Sequence, residues 1–450
     1  MENNTNLKRE LGLAAATAIV VGNMIGSGIF MAPQGLAAAS NPKATIIAWI
    51  ITALGSMLLA LSFANMGAKM PKTGGPIVYT KAAFGQFAAF LIAWTYWIGS
   101  WVGNAAIITA FMSYLTYFFP IFGENRALAF IVSSLILWIF TYINYKGVKE
   151  AGIIGIITTV LKIVPLIIFS IIALMHFNPS YFNTASSPEV NSLSTVPAAI
   201  AITLWSFVGL ECATIPAGEI KNPERNIKLS TIYGTLITAL VYILISILAI
   251  GAMPQGKLAT SNAPLADIIN YATGGKWGGT LIALGAAIST LGATSGWILV
   301  TARSSFAAAE EKMFPKVFAK VHPKYQTPSA SLIISGIATN ILLIMNYVSS
   351  LTSAFNFMLL LATLSFLPAY SFTAAAEILL LKNKSENFNL FRFIKNSFIS
   401  LLAFAYSIYA IYGTGAEVVM YGFILMLIGI PFYVYQRIQN KTNYDISSQI

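Results

Sequence analysis

Long apolar runs, separated by short segments of charged or turn-forming residues, follow one another along the whole chain. A helix needs roughly 20 apolar residues to cross the hydrocarbon core of a bilayer. The pattern predicts about twelve such helices. Their expected bounds are approximately 12–35, 44–68, 84–118, 127–147, 152–177, 193–217, 229–253, 278–307, 329–347, 352–381, 396–413 and 417–436. The first run continues through several glycines without a small-residue cleavage site, so we expect it to be retained as a span.

The composition narrows the class of protein further. Of the 450 residues, 57% are apolar and only 9% are charged, whereas soluble domains carry about 25% charged residues. This excludes a soluble enzyme, a disordered chain and a nucleic-acid-binding protein, and it places the chain in a lipid bilayer. With one cysteine, Cys212, and two distant histidines, no disulfide framework or metal site is expected. We expect no cofactor.

The basic residues predict the orientation in the membrane. Loops on the side of the N-terminus carry about 21 of the 26 lysines and arginines, and positively charged loops remain in the cytoplasm. Lys162 lies inside the fifth span. The loops of the other side carry only Lys43, Arg126, Lys257 and Lys276. We therefore expect a multi-pass protein of the cytoplasmic membrane with both termini in the cytoplasm, and the net charge of +11 mainly reflects this orientation.

Two of the predicted spans are interrupted. The first contains the glycines of residues 22–28, with Asn23 and Ser27 among them, and the sixth contains Gly209 beside Glu211. Interrupted helices at matching positions of two halves indicate an inverted-repeat transporter whose binding site lies at the breaks. Free amides there can bind a carboxylate and free carbonyls an ammonium, which suits an amino acid. The alternative is that these glycines only allow helices to pack closely.

Glu211 and Glu377 are the acids that the pattern places inside spans. An ionised carboxylate is costly at such depth, so we interpret Glu211 as a proton-sensitive or gating group; the alternative is a permanently protonated or backbone-satisfied structural acid. Glu377 lies close to Lys382 near the end of the tenth span. We expect its side chain to extend to the interface, and no function is assigned to it.

Four segments together resemble one known superfamily, the amino acid, polyamine and organocation transporters. They are residues 22–30 (GNMIGSGIF), Tyr96-Trp97 followed by Asn104, residues 203–211 (TLWSFVGLE) and residues 221–226 (KNPERN). Within that superfamily the chain looks most like the basic amino acid/polyamine antiporters of the arginine/agmatine and ornithine/putrescine type. The resemblance covers nearly the whole chain.

The resemblance implies an all-α membrane protein with a five-plus-five inverted repeat and broken helices 1 and 6. It forms a single transporter domain, and homodimers are often found in the family. In this chain we expect a cytoplasmic N-terminus at 1–11, a ten-helix core at 12–381, two additional helices at 396–436 and a cytoplasmic tail at 437–450.

The resemblance also implies roles for individual residues. Ser27 and Gly28 would hold the substrate carboxylate, and the carbonyls of Met24, Trp205 and Val208 its amino group. Trp205 would cap the site, and the Trp297 indole would stack on the substrate, which suits a cation; alternatively, either tryptophan only packs or marks the interface. The expected substrate-binding residues are Asn23, Met24, Ile25, Ser27, Gly28, Tyr96, Asn104, Trp205, Ser206, Val208, Trp297 and Ala362. Glu211, Lys162 and Tyr370 are the expected gating or proton-coupling residues.

Among these, Tyr96 and Tyr370 match gating tyrosines, although a structural role for Tyr370 is an open alternative, and Asn104 matches an asparagine that recognises the substrate side chain. Two positions depart from the arginine/agmatine pattern. Ala362 stands where those exchangers have a serine, as in ornithine/putrescine exchangers. Lys162 matches a lysine of proton-coupled and neutral amino acid permeases that takes the place of a sodium ion. We hypothesise sodium-independent transport in which Lys162 is a candidate proton carrier; its snorkelling to the interface is the alternative.

The sequence thus predicts a secondary transporter that exchanges an amino acid for an amine or another amino acid by alternating access. Protons are possible coupling ions. The alternative is a proton-coupled permease for small neutral amino acids. A membrane-embedded enzyme is disfavoured because Glu211, Glu377 and Lys162 are too sparse a set of titratable groups for hydrolysis. A receptor is disfavoured because the loops and tail offer no output module.

Overall fold

The computed structural model describes residues 11–382 and 389–447, and within these ranges it contains helices and no strand. The α-helices are α1 Leu13–Met24, α2 Ser27–Ala39, α3 Pro42–Lys69, α4 Pro76–Phe118, α5 Ile121–Glu124, α6 Arg126–Lys146, α7 Val148–Met175, α8 Val196–Trp205, α9 Pro223–Ala252, α10 Gln255–Leu258, α11 Pro264–Thr273, α12 Trp277–Glu310, α13 Ser329–Leu342, α14 Met345–Val348, α15 Leu351–Glu377, α16 Leu390–Gly413 and α17 Ala416–Ser447. The all-α prediction is confirmed.

The predicted spans correspond to these helices. In the described part of the chain, nine helices are long and apolar enough to cross a membrane, with α1 and α2 counted together. Shorter apolar helices at Leu161–Met175, Leu193–Trp205 and Ser329–Leu342 account for the other three predicted spans. Helix α4 begins before the predicted bound, but the non-helical backbone of Gly85 interrupts it where the third span was expected to start.

The first span is broken where its glycines predicted a break. Helix α1 ends at Met24 and α2 begins at Ser27. The Gly26 amide turns back to the Met24 carbonyl at 2.8 Å and so does not continue the α-helical ladder. The middle of this span therefore has backbone groups without partners inside the helix.

The sixth span is broken differently. Helix α8 ends at Trp205, and a series of turns continues to residue 216 before a short 3-10 helix, Ala217–Glu219. Gly209 has a φ of +111°, a conformation that glycine adopts readily and other residues rarely. The glycine that the sequence singled out is thus the residue that allows the chain to turn inside the membrane.

Both broken spans are tied to neighbouring segments at each end. At the face where α1 begins, here called the N-terminal face, the Lys221 amide donates to the Leu11 carbonyl at 2.8 Å. Near the other ends of the two spans, Asn41 Nδ2 donates to the Ser192 carbonyl at 3.0 Å and Gln34 Nε2 to the Ala259 carbonyl at 2.7 Å. These contacts fix the ends and leave the two breaks facing each other in the interior.

The remaining helices surround the breaks. Helix α4 packs extensively against α15 and α12, and α3 packs against α9. Helix α16 lies against α15, α3 and α8, whereas α17 contacts α15 and α4 and buries few of its apolar side chains. Such an exposed apolar helix suits a surface covered by lipid. The interior site is therefore built from α1, α2, α4, the sixth span, α12 and α15.

Candidate functional site

Side chains from three helices satisfy the carbonyls at the first break. The carbonyl oxygens of residues 22–25 all accept a hydrogen bond. Lys162 Nζ donates to the Gly22 carbonyl at 2.9 Å and to the Ile25 carbonyl at 2.6 Å. Trp297 Nε1 donates to the Asn23 carbonyl at 3.2 Å, and Tyr242 Oη donates to the Met24 carbonyl at 2.5 Å. An unsatisfied carbonyl is costly in a membrane. Donors from α7, α9 and α12 therefore stabilise the broken end of α1.

Lys162 is buried inside the protein, with 1% of its side chain exposed. Its Nζ atom lies at the C-terminal end of α1, where the helix dipole favours a positive charge. The alternative that Lys162 snorkels to the interface is therefore wrong. The side chain instead occupies a position between the carbonyls of Gly22 and Ile25.

The two breaks contact each other directly. Trp205 Nε1 donates to Ser27 Oγ at 3.3 Å. A Cβ atom on Gly28 would lie 2.6 Å from Ser206 Oγ and 3.1 Å from Ser206 Cα, so only glycine permits this approach. The first turn of α2, which the resemblance assigns to the substrate carboxylate, is therefore covered by Trp205 and Ser206 of the sixth span.

Glu211 joins the sixth span to α4 and α15. Tyr96 Oη donates to Glu211 Oε1 at 2.9 Å, and Tyr370 Oη donates to Oε2 at 2.8 Å. The Gly209 amide also donates to Oε2, at 3.2 Å. All three side chains are fully buried. The structure thus brings together the acid and both tyrosines that the sequence analysis selected, and we call these three residues the Glu211 gate after the role expected from the sequence.

Carbonyls expected to receive the substrate amino group already have partners. Tyr242 donates to the Met24 carbonyl, and the Val208 amide donates to the Trp205 carbonyl at 3.2 Å. A carbonyl has two acceptor sites, so the Trp205 carbonyl can accept one further donor. The Met24 carbonyl also accepts from the Gly26 amide at 2.8 Å, so another donor would have to replace one of its two partners. Val208 and Met24 are buried, and Asn23 is half-buried.

Asn104 and Ala362 lie on the helices that flank Trp205. Asn104 Nδ2 donates to Thr301 Oγ1 at 2.9 Å, while its buried Oδ1 has no hydrogen-bond partner among the described residues. Ala362 is fully buried. An ideal Cβ built on Gly103 would lie 3.1 Å from the Trp205 ring and 4.0 Å from the Ala362 Cβ. Gly103 and Ala362 therefore border Trp205, whereas Asn104, the next residue on α4, contacts α12.

An aromatic residue that the sequence analysis missed connects the gate to Trp297. Phe366 packs edge-on against Tyr96, with ring centroids 5.0 Å apart, and lies 5.5 Å from Trp297. It is four residues from both Ala362 and Tyr370, so helical spacing places all three on one face of α15. That spacing is a signal that could have found it. Tyr242 and Thr301 carried no such signal, because tyrosine and threonine are common throughout the chain.

Glu377 corrects one expectation. Its side chain is 1% exposed and does not extend to the interface. Asn65 Nδ2 donates to Glu377 Oε1 and Ser400 Oγ to Oε2, each at 2.8 Å. The prediction of snorkelling is wrong because α3 and α16 provide polar partners inside the helix bundle.

Two apolar helices broken at matching positions, with their breaks in contact, define this protein as a membrane transporter. Comparison with known proteins agrees, because the amino acid permease family model matches residues 11–444. The chain belongs to the amino acid permease family, and as expected it is a transporter rather than an enzyme.

Curated relatives cover most of the chain. An arginine/ornithine antiporter of Pseudomonas aeruginosa is 35% identical over 421 residues, which are 91% of this chain and 87% of the relative. An arginine/agmatine antiporter of Chlamydia pneumoniae is 33% identical over 450 residues, covering 96% and 91%. A protein of the same description from Chlamydia abortus is 34% identical over 448 residues, again covering 96% and 91%. The resemblance to basic amino acid antiporters is confirmed.

Proposed function

We propose that the protein is an antiporter that exchanges a basic amino acid for a related amine or amino acid by alternating access. The observation that carries this proposal is the direct contact of the two breaks beside the Glu211 gate. The relatives named arginine/ornithine and arginine/agmatine antiporters support exchange of basic substrates. They also favour exchange over a permease for small neutral amino acids.

The substrate backbone binds between the breaks in this proposal. Its carboxylate meets Ser27 and the first amides of α2, where the helix dipole favours an anion. Its amino group meets the carbonyls of Met24, Trp205 and Val208. Because Trp205 and Ser206 contact the first turn of α2 directly, substrate entry requires the sixth span to move away from α2. Binding is thereby coupled to movement of the broken span.

The substrate side chain lies toward α4, α12 and α15. Asn104 Oδ1, which lacks a partner among the described residues, is an acceptor for an ammonium or guanidinium group. The Trp297 indole attracts a desolvated cation by about 2 kcal/mol. Ala362 provides an apolar surface without a hydroxyl group, which suits the aliphatic part of a basic side chain. These groups support a cationic substrate.

Glu211 is the proton-sensitive part of the proposed gate. An ionised carboxylate accepts hydrogen bonds only, whereas a protonated one also donates. Glu211 accepts three hydrogen bonds, from Tyr96, Tyr370 and the Gly209 amide. Uptake of a proton therefore alters how firmly the tyrosines hold the sixth span. This provides a physical route from proton concentration to gate opening.

Lys162 makes transport independent of sodium in this proposal. Its ammonium already binds the carbonyls of Gly22 and Ile25, which would otherwise be ligands for a cation. Replacement of sodium by choline should leave exchange by the wild-type protein unchanged. A loss of exchange in choline would contradict this role of Lys162.

We further propose that the protein lies in the cytoplasmic membrane with both termini in the cytoplasm, since basic residues favour that orientation. Residues 12–381 form the transport core, residues 396–436 add two helices, and 1–11 and 437–450 are cytoplasmic. A homodimer is the assembly that the family resemblance favours. Labelling of single cysteines introduced at either terminus, in intact and permeabilised cells, tests the orientation.

Exchange by the purified protein in proteoliposomes tests the main proposal. Vesicles are either empty or preloaded with unlabelled arginine, ornithine or agmatine. Uptake of labelled arginine, ornithine, lysine, histidine, tyrosine, alanine and serine is then followed at two pH values. Protein-free vesicles loaded in the same way provide the control.

We expect uptake of basic amino acids only into preloaded vesicles, and the effective internal partner identifies the substrate pair. Rapid uptake of alanine or serine into empty vesicles, driven by an inward proton gradient, would instead support a proton-coupled permease. That result would overturn the antiport proposal and would place Lys162 and Glu211 at the centre of proton symport.

A further inference from the structure

Glu377 shares a face of α15 with the gate residue Tyr370. The two residues are seven positions apart, which is close to two helical turns, and both side chains are buried. Glu377 binds Asn65 of α3 and Ser400 of α16 through separate oxygens, each at 2.8 Å. One carboxylate therefore links three helices at the C-terminal end of α15.

The part of α15 that carries both residues lies between two weak points. Pro368 has no amide hydrogen and cannot donate the α-helical hydrogen bond at its position. After Glu377 the helix changes to a π-helical segment, Ile378–Lys382, and such segments often occur at functional sites. Residues 369–377, here called the helical piece, belong to one continuous helix, but the hydrogen bond missing at Pro368 weakens their connection to the first part of α15. Contacts with neighbouring helices therefore contribute to their orientation.

Those contacts reach both ends of the piece. On α3, Phe63 packs edge-on against Tyr370 with ring centroids 5.5 Å apart, and Asn65 follows two residues later. On α16, the Ser407 hydroxyl group lies 2.8 Å from the hydroxyl group of Ser371 on α15, while Ser400 binds Glu377. Glu377 binds both α3 and α16 at the C-terminal end of residues 369–377.

We propose that Glu377 is a positioning residue for the Glu211 gate. By binding α3 and α16 at once, its carboxylate fixes the rotation of residues 369–377 and so directs the Tyr370 hydroxyl group to Glu211. Glu377 does not contact the substrate in this role. The transport measurement below rests on the proposed exchange function, whereas the conformational measurement does not.

Three substitutions test the role in exchange. Glu377→Gln keeps the size of the side chain but leaves a single acceptor oxygen, so Asn65 and Ser400 can no longer both donate to it, and the contact with Ser400 survives only if the serine hydroxyl group turns to accept. Ser400→Ala removes one donor and serves if the first variant fails to fold. Ser397→Ala is the matched control, because this buried serine lies one turn away on α16 and its Oγ has no hydrogen-bond partner among the described residues.

We expect Glu377→Gln and Ser400→Ala to lower exchange turnover, the former by about tenfold, because a slightly misplaced group costs much of its effect. KM should change by less than about twofold, since the substrate contacts are intact. Ser397→Ala should exchange at the wild-type rate. Wild-type turnover in both Glu377→Gln and Ser400→Ala would overturn the proposal.

Combination with Tyr370→Phe distinguishes positioning from a general structural role. If Glu377 acts through Tyr370, adding Glu377→Gln to Tyr370→Phe should slow exchange by less than about a further twofold, because coupled residues are not additive. Effects that multiply in the double variant would show that Glu377 acts independently of the gate, and would overturn the proposal.

Hydrogen-deuterium exchange without substrate supplies a readout that does not depend on the transported molecule. Glu377→Gln should increase deuterium uptake in peptides that cover residues 369–377 and 207–213, and Ser397→Ala should not. Unchanged uptake in both regions would overturn the positioning role. If the wild-type protein exchanged no basic amino acid, the proposed substrate would be wrong, while this measurement would still decide the role of Glu377.

Discussion

Both broken spans contain polar groups that need hydrogen-bond partners inside the membrane, but the acceptors of the two breaks differ in kind. At the first break the acceptors belong to the backbone of residues 22–25, and the donors are side chains of Lys162, Trp297 and Tyr242. At the sixth span the central acceptor is a side chain, Glu211, and its donors come from α4, α15 and the local backbone. A cation organises one break and a carboxylate organises the other.

This difference predicts which break is rigid. The carbonyls at the first break always require donors, because they lie in a membrane interior where water is scarce. The hydrogen bonds of the Glu211 gate instead join the sixth span to α4 and α15, so they break when that span moves. We therefore expect the first break to act as a fixed platform and the sixth span as the moving part.

The largest effect is expected where the two breaks touch. In Gly28→Ala the new Cβ would lie 2.6 Å from Ser206 Oγ, so α2 and the sixth span would have to separate. We expect exchange turnover to fall by about 100-fold, as for other small displacements at a binding site. Gly12→Ala is the control, since apart from its neighbours along the chain no atom of the described residues lies within 4 Å of its Cβ position. Normal exchange by Gly28→Ala would show that close contact of the breaks is not required.

Removal of the cation tests the rigid platform. Lys162→Met keeps the length of the side chain but leaves the carbonyls of Gly22 and Ile25 without this donor. The protein should lose about 2 kcal/mol of stability, measured as a lower Tm in detergent. Lys228→Met, at an exposed position of α9, should melt like the wild type. An unchanged Tm in Lys162→Met would mean that the first break does not depend on its cation.

Neutralisation of the carboxylate tests the moving part. Glu211→Gln retains one acceptor oxygen and presents an NH2 group to one tyrosine. We expect exchange turnover to fall by about tenfold, equivalent to the roughly 1.5 kcal/mol of one charged hydrogen bond. The dependence of exchange turnover on pH should also be smaller in this variant than in the wild type. The control is Glu224→Gln on the exposed first turn of α9. If the variant kept the wild-type pH profile, Glu211 would not be the proton-sensitive group.

The smallest effect concerns a residue that serves both the first break and the substrate. Trp297→Phe loses the hydrogen bond to the Asn23 carbonyl and weakens the attraction for a cation. Exchange of arginine, measured as turnover divided by KM, should fall by about fivefold, corresponding to roughly 1 kcal/mol, mainly through a higher KM. Trp277→Phe, which is 67% exposed on the same helix, is the control. An unchanged KM for arginine would contradict stacking on a cationic side chain.

Some residues of the site that the sequence predicted violate the rules of the membrane, and the others were selected by family resemblance. Glycines that interrupt a span, Glu211 and Lys162 are costly inside an apolar bilayer, so they stand out against their surroundings. Tyr96 and Tyr370 were selected by their resemblance to gating tyrosines, and the structure places both on Glu211. Local composition therefore indicated the glycines, Glu211 and Lys162, whereas the two tyrosines depended on the resemblance.

Residues without such a signal were missed. Tyr242, Phe366 and Thr301 are ordinary components of membrane helices, and only their neighbours make them part of the site. Glu377 was noticed but misplaced, because its distance from Lys382 along the chain indicated nothing about α16. Local sequence gives no information on which helix covers which side chain.

The sequence by itself determined the membrane class, the number of spans and the positions of the two breaks, because apolar length and helix interruption are local properties of the chain. Only the tertiary structure decided which donor meets which acceptor. Lys162 is 140 positions from Gly22, and Tyr370 is 159 positions from Glu211. Such pairs form because a buried polar group in the membrane must find a partner, and the packing of distant helices determines which partner is within reach.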